Sequence, residues 1–243
     1  TEHQGDFHIP GSLDETLAEI RALGGEAIAV TADLGADDPT LGEQLPNLVA
    51  KAVEAFGGVD ILVNNAAIAV PGTIESMKLR HMDLSWRINV WAPLLLCREV
   101  LPHLRAKGGG SIINISSAAS IGPGPGPYRD ASAGGTPYGL TKAALERFTQ
   151  GLASELVGTG ISVNALSPSR QIFVGGTIYV AKTNPAFSVS DLTGKRKDGT
   201  IMGDAAVAII SADHGTVTGR IYSDEGALTE LRGVTTFEAY ATF

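Results

Sequence analysis

From Ser12 onward the chain alternates two kinds of apolar pattern. Long stretches carry an apolar residue every third or fourth position, and short runs are almost continuously apolar. The first kind predicts helices and the second predicts strands. Leu13, Leu17, Ala18 and Ile20 recur at helical spacing over 12–23, with Ser12 and Glu15 as a capping box and Gly24-Gly25 as the stop. Residues 26–32, with Ala-Ile-Ala-Val at the centre, read as a strand. A second helix is expected over 41–56, with Leu45, Leu48, Val49, Ala52, Val53 and Phe56 on one face and Gly57-Gly58 at its end. The run 59–63 is a strand apolar enough to be covered on both sides. A long helix over 84–104 is expected to bend at Pro93. Residues 111–115 form a strand, Thr136-Pro137 opens a helix to about residue 157, and 161–166 is a further strand. A helix over 204–210 and a strand over 220–223 close the series.

Strands alternating with helices of this length predict right-handed βαβ units. The expected fold is α/β, a three-layer doubly wound parallel sheet of Rossmann-like type. No internal repeat or domain boundary is visible, so 1–243 is read as one domain. Two irregular insertions, 121–136 and 171–200, interrupt it. The second is expected to be a lid over a substrate. In the first, Pro123, Pro125 and Pro127 alternate with glycines. Proline offers no N–H, so this segment is a loop and not a phosphate cradle.

Composition narrows the classes. Of 243 residues 44% are hydrophobic and 18% charged, the profile of a globular chain. The net charge of −8 disfavours nucleic acid. Lys195-Arg196-Lys197 is the one basic cluster and is read as a solvated loop. Cys97 is alone in the chain, so no internal disulfide can form, and its apolar neighbours predict burial. No apolar stretch reaches the ~20 residues of a membrane span, and the first residues show no leader pattern. A cytoplasmic protein is expected. His3, His8, His81, His103 and His214 show no metal-ligand spacing.

The sharpest chemical signal is Tyr138-Gly139-Leu140-Thr141-Lys142 at a helix start. The i,i+4 spacing places both side chains on one face. A tyrosine near pKa 10 is too weak an acid at neutral pH, and an ammonium one turn away favours the phenolate. The pair reads as a general acid/base. The strand 111–115 runs into Ser116-Ser117 at the carboxyl edge, where parallel sheets hold ligands. Asn114-Ile115-Ser116 matches a glycosylation acceptor but falls in a strand predicted to be buried. Asn64-Asn65-Ala66-Ala67 ends the preceding strand with small residues that admit a flat ligand. Asn89 is a polar side chain early in an apolar helix.

Together these residues resemble the short-chain dehydrogenase/reductase family. Asn64-Asn65-Ala66-Ala67 resembles its Asn-Asn-Ala-Gly motif, and Asn89, Ser117, Tyr138 and Lys142 fall in the order of its catalytic tetrad. Val163 to Pro168 is similar to the strand and turn that close its nicotinamide site, and Thr218-Gly219 to the opening of its last strand. The resemblance implies an NAD- or NADP-dependent oxidoreductase that interconverts a secondary alcohol and a ketone. Tyr138 would move the proton, Lys142 would lower its pKa and hold ribose hydroxyls, Ser117 would bind the carbonyl and Asn89 would anchor a water. Asp33 and Leu34 match adenine-contacting positions, and Asn65, Ala66 and Pro168 match further cofactor contacts. The resemblance also implies a homodimer or homotetramer and a small-molecule substrate.

Three departures stand out. Ala67 and Ser169 replace glycines of the family pattern. The separation of Ser117 from Tyr138 is lengthened, so 123–135 must loop outward. The family's first two strands and the glycine loop between them have no counterpart here. The resulting expectation is a gap between 26–32 and 59–63, closed only if those two strands pair, and a chain that does not hold the pyrophosphate. A catalytically silent binding or scaffold protein is the alternative reading.

Overall fold

The computed structural model describes residues 12–70, 72–131, 134–170, 172 and 196–242. Four parallel strands form the central sheet in the order β1 (Ile61–Asn64), β2 (Gly110–Ile115), β3 (Ile161–Ser167) and β5 (Ile221–Ser223). Asn64 is in register with Asn114, Ile115 with Leu166, and Ser167 with Ser223, so the carboxyl ends of the strands are level. A separate antiparallel pair joins β4 (Arg196–Lys197) to β6 (Ala241–Thr242).

Neighbouring strand residues feed opposite layers. Ile112 packs with Val49, Cys97, Val100, Leu104 and Leu152, which come from α2 (Asp38–Phe56), α4 (Ala92–Ala106) and α5 (Thr136–Glu155). Ile113 packs with Ile201, Ile209, Tyr222 and Leu228, joining α6 (Thr200–Ile210) and α7 (Asp224–Arg232) on the other face. Both isoleucines are fully buried. This is the predicted three-layer doubly wound architecture, with the period-2 alternation of β2 setting the layers. Cys97 is buried as expected.

Helix α1 (Leu13–Ala22) exists on local chemistry alone. Ser12 Oγ accepts from the Glu15 N–H at 3.1 Å, Asp14 and Glu15 sit in the first turn and Arg21 in the last. None of its residues is buried. The strand predicted over 26–32 does not form. A strand needs a ladder partner for its N–H and C=O groups, and 26–32 does not pair with β1, which stands at the sheet edge with Ile61 and Val63 exposed. The anticipated closure of the gap is therefore absent among the described residues.

The helix expected over 84–104 is three segments: α3 (Leu79–Trp86), a π-turn at Arg87–Trp91, and α4. Pro93 has no N–H to return to the Asn89 carbonyl. One residue is looped out to compensate, and the Ala92 N–H reaches back to the Arg87 carbonyl. The break thus precedes the proline instead of falling on it. Helix α7 and the β4–β6 pair were not foreseen. The basic run also departs from expectation, because Lys197 is 4% exposed and not solvated. The proposed lid lies outside the described residues except for Ile172 and 196–200.

The turn between α4 and β2 depends on close backbone approach. A Cβ on Gly109, at φ +149°, would meet the Gly160 carbonyl oxygen at 2.4 Å, whereas one on Gly108, at φ +83°, meets nothing within 4 Å. Gly108→Ala should cost about 1 kcal/mol, the left-handed penalty alone. Gly109→Ala should cost at least ~2 kcal/mol more, because β2 or β3 must shift. Urea unfolding of the two variants checks the order, and equal midpoints would contradict it.

Candidate active site

The site forms where the carboxyl end of β2 meets the first turns of α5. Beyond β2 the Ser116 N–H still bonds to the Leu166 carbonyl at 2.8 Å, so the chain stays level with β3 before turning. Ser117 then starts a short 3₁₀ turn, Ala118–Ser120, and its Oγ accepts from the Ala119 N–H at 3.2 Å. That turn presses on α5 at Gly139, where a Cβ would lie 2.6 Å from the Ala119 carbonyl oxygen. The missing side chain lets Ser117 reach Tyr138. The Ser117 hydroxyl lies near enough to the Tyr138 phenol to act on its titration.

Burial pushes the Tyr138 phenol above its ordinary value, and the Ser117 hydroxyl opposes that by favouring the phenolate. Lys142 was expected to do this work. Its Nζ instead donates to the Ile115 carbonyl at 2.7 Å and stands 5.8 Å from the centroid of the Tyr138 ring. Lys142 is 2% exposed. Desolvation lowers its pKa to about 8, against the pull of the Glu146 carboxylate one turn further on. Glu146 is itself buried, and its Oε1 accepts from Ser116 Oγ at 2.5 Å and Ser120 Oγ at 2.6 Å. The sequence reading passed over Glu146. The signal was available, since 138, 142 and 146 share one helix face.

Asn89 is 1% exposed. Its Oδ1 accepts from the Ile68 N–H at 2.9 Å, and its Nδ2 donates to the Ile68 carbonyl at 2.9 Å and to Thr141 Oγ1 at 3.0 Å. Its side chain therefore pins the segment after β1 to α5. Asn65, Ala66 and Ala67 lie exposed at the carboxyl end of β1. Pro168 follows β3 directly. Asp33 is exposed, with its Oδ1 on the Gly35 N–H at 2.9 Å. The Leu34 side chain packs on Leu41, Leu45 and Ala92. The structure thus gathers Ser117, Tyr138, Lys142 and Asn89 around the start of α5. Asp33 and Leu34 lie apart from them, before α2. Asn114, the glycosylation match, is fully buried. A largely apolar depression of about 380 Å³, lined by Ala119, Ser120, Pro123, Thr136, Leu140 and Ala143, lies between the turn after Ser117 and the start of α5. Among the described residues no group of His, Cys, Asp and Glu could hold a metal ion, and no helix is long and apolar enough to cross a membrane.

Residues 9–171 match the family model described as short chain dehydrogenase. An uncharacterized oxidoreductase of Thermotoga maritima is 34% identical over 230 residues, 89% of this chain and 83% of that protein. The human dehydrogenase/reductase SDR family member 4 is 37% identical over 158 residues, 65% of this chain, and the match spans about half of it, 52%. Among solved structures, a short-chain dehydrogenase from Burkholderia cenocepacia in complex with NADP superimposes with a TM-score of 0.71 at 30% identity, covering 88% of this chain and 82% of that one. A 7α-hydroxysteroid dehydrogenase complexed with NADH and 7-oxo-glycochenodeoxycholic acid gives a TM-score of 0.71 at 27% identity, covering 86% and 77%.

The buried lysine has a pH signature. Its folded pKa of about 8 lies below the ordinary lysine value of 10.5. Between those values the unfolded chain holds a proton that the folded chain does not, so stability rises with pH across that window. The wild type should therefore gain stability relative to Lys142→Met from about pH 8 upward. Thermal melts of both proteins at matched pH check this, and a difference that shrinks the other way would contradict it.

Proposed function

Because the chain belongs to the short-chain dehydrogenase/reductase family, we propose that it interconverts a secondary alcohol and a ketone with NAD or NADP, using Tyr138 as the acid/base. The observation that carries this reading is the Ser117–Tyr138 hydroxyl pair at the carboxyl edge of the sheet, backed by the buried Lys142. A silent binding protein has no need of a lysine held in a desolvated place, since burying the charge costs stability.

The residues fit the nicotinamide half of such a cofactor. An ammonium has three N–H donors, and Lys142 uses one on Ile115. The others remain for ribose hydroxyls. Exposed Asn65 and Ala66 offer backbone at the end of β1, and Pro168 offers it at the end of β3. Asp33 and Leu34 would contact the adenine end, Leu34 through its backbone because its half-buried side chain packs on Leu41, Leu45 and Ala92. When bound, the cofactor supplies the hydride exchanged with the substrate carbon. The phenol of Tyr138 donates its proton to the carbonyl oxygen in reduction and takes it back in oxidation. Ser117 Oγ donates to the same oxygen and stabilises its developing charge. Lys142 keeps the surroundings of the phenolate positive once the proton has left. Pro93 returns no N–H to the Asn89 carbonyl, which leaves that carbonyl suited to hold a water behind Lys142.

Two solved neighbours support the chemistry. One neighbour carries a 7-oxo bile acid beside NADH, and another carries NADP. The choice between the two cofactors stays open. We also propose a homodimer or homotetramer, built on the outer faces of α4 and α5. Leu140 on α5 and Trp91, the last residue of the π-turn before α4, are half exposed, at 50% and 51%, and the apolar depression includes Leu140.

Tyr138→Phe removes the proton donor and leaves the ring. In the full-length protein kcat should fall by at least ~10²-fold, with NAD(P)H affinity unchanged. A variant keeping more than about a tenth of the turnover, a barrier change under ~1.4 kcal/mol, would remove Tyr138 from the role. For the assembly, light scattering at micromolar concentration should give a dimer or larger, and a monomer would reject it.

A further inference from the structure

The basic run that the sequence placed in solvent ends in a buried charge network. Lys197 Nζ donates to Ser169 Oγ at 2.6 Å. It stands 3.4 and 3.5 Å from the two Asp224 carboxylate oxygens and contacts Glu225 Oε1. It also lies 5.7 Å from the centroid of the Phe237 ring. Asp224 is fully buried, and its Oδ1 also accepts from the Ser169 N–H at 2.9 Å and the Glu225 N–H at 2.7 Å. Arg170 approaches Glu225 at 3.9 Å. Two successive residues of the turn leaving β3 are thereby tied to the first turn of α7.

That turn borders the site. Leu166 accepts from the Ser116 N–H, so the chain leaving β3 passes beside the serines that present Ser117. Ser169 itself is exposed although its N–H and Oγ are both bonded. The network therefore lies behind the turn and leaves its outer side open.

A buried ammonium is a poor way to gain stability alone. Apolar side chains of similar volume often do as well, so a retained charge network calls for a geometric reason. Position 169 supplies one. The family pattern has glycine there, which has no hydroxyl to receive Lys197. In this chain the serine and the lysine are matched to each other across 28 residues of sequence.

We infer that Lys197, Ser169 and Asp224 form a positioning network that sets the Pro168–Ser169 backbone against the nicotinamide end of the cofactor site. The inference rests on the dinucleotide reading above. Lys197 acts through Ser169 and is not a catalytic residue. Asp224 fixes the N–H of position 169, and Lys197 fixes its side chain.

The test titrates full-length protein with NADH and NADPH, reads the dissociation constants from nucleotide fluorescence, and records kcat and the apoprotein melting temperature alongside. Ser169→Ala removes one partner and leaves Lys197 with its carboxylates, so it should melt like the wild type. Its dissociation constant should rise by about tenfold or more, the scale of a misplaced contact, with a smaller fall in kcat. Lys197→Met should show the same loss of binding with a lower melting temperature, and Lys197→Arg should restore binding toward the wild-type value. The double variant Lys197→Met/Ser169→Ala should bind no worse than Lys197→Met alone, because the two residues act as one unit. Unchanged affinity in folded Ser169→Ala, or additive losses in the double variant, overturns the inference and leaves the proposed function standing. Wild-type protein that binds neither nucleotide overturns the functional reading and this inference with it.

Discussion

At the carboxyl end of β2, three consecutive residues each hold a different turn of α5. Asn114 Nδ2 donates to Thr149 Oγ1 at 2.9 Å, the Ile115 carbonyl accepts from Lys142 at 2.7 Å, and Ser116 Oγ donates to Glu146 at 2.5 Å. Ser117 comes next in the chain, and its position against Tyr138 follows from that seam. Gly139 allows the approach, and the polar bonds fix its register. Non-directional burial of Leu145 and Leu152 could not do so with the same precision, since apolar contacts tolerate sliding. The same seam reaches β1, because Asn64 Nδ2 donates to Asn114 Oδ1 at 2.8 Å. Asn89 ties the segment after β1 to α5 from the other side.

The seam has an energetic cost concentrated on Lys142. Its charge is disfavoured by burial, and only one anionic side chain, Glu146, opposes that. The stabilisation of α5 comes from its apolar stripe against Ile112 and Val163. The charged face is maintained at the expense of that stability, the pattern expected where a site needs an uncomfortable residue. Glu146 fits the same account. Two serine hydroxyls satisfy its Oε1, so the carboxylate is buried with partners and not alone.

The elements that the sequence showed most clearly are those whose reasons are local or fully buried. Helix α1 is legible from Ser12 and Glu15 although none of its residues is buried. Strand β2 is legible because Ile112 and Ile113 must both be covered. The segment 26–32 misled, because β-branched and apolar residues make a strand only beside a partner, and its own pattern does not show whether 59–63 will take that place. The break before α4 needed the carbonyl accounting of Asn89 against Pro93, which the apolar stripe hides. That Asn89, Ser117, Tyr138 and Lys142 gather at the start of α5 was suggested by the family resemblance. What could not be read is who touches whom. Lys142 sits one turn from Tyr138 in sequence, yet its shortest bond is to Ile115, 27 residues away.

Charge pattern was the least transferable signal. A run of three basic residues is ordinarily solvent-facing, and Lys197 departs from that because β4 pairs with β6 at the far end of the chain and carries it inward. Its carboxylate partners belong to α7, a helix that the sequence reading did not include. Two buried lysines therefore flank the hydroxyl pair, one behind the end of β2 and one behind the turn after β3. Each bonds to the chain just beyond its strand, Lys142 through a carbonyl and Lys197 through a serine hydroxyl. Parallel strands end in loops, and loops are the mobile part of such a sheet. Anchoring both loop origins with charge-assisted bonds from behind leaves their outer faces open to a ligand. That arrangement holds the base of the site from behind, at the origins of both loops.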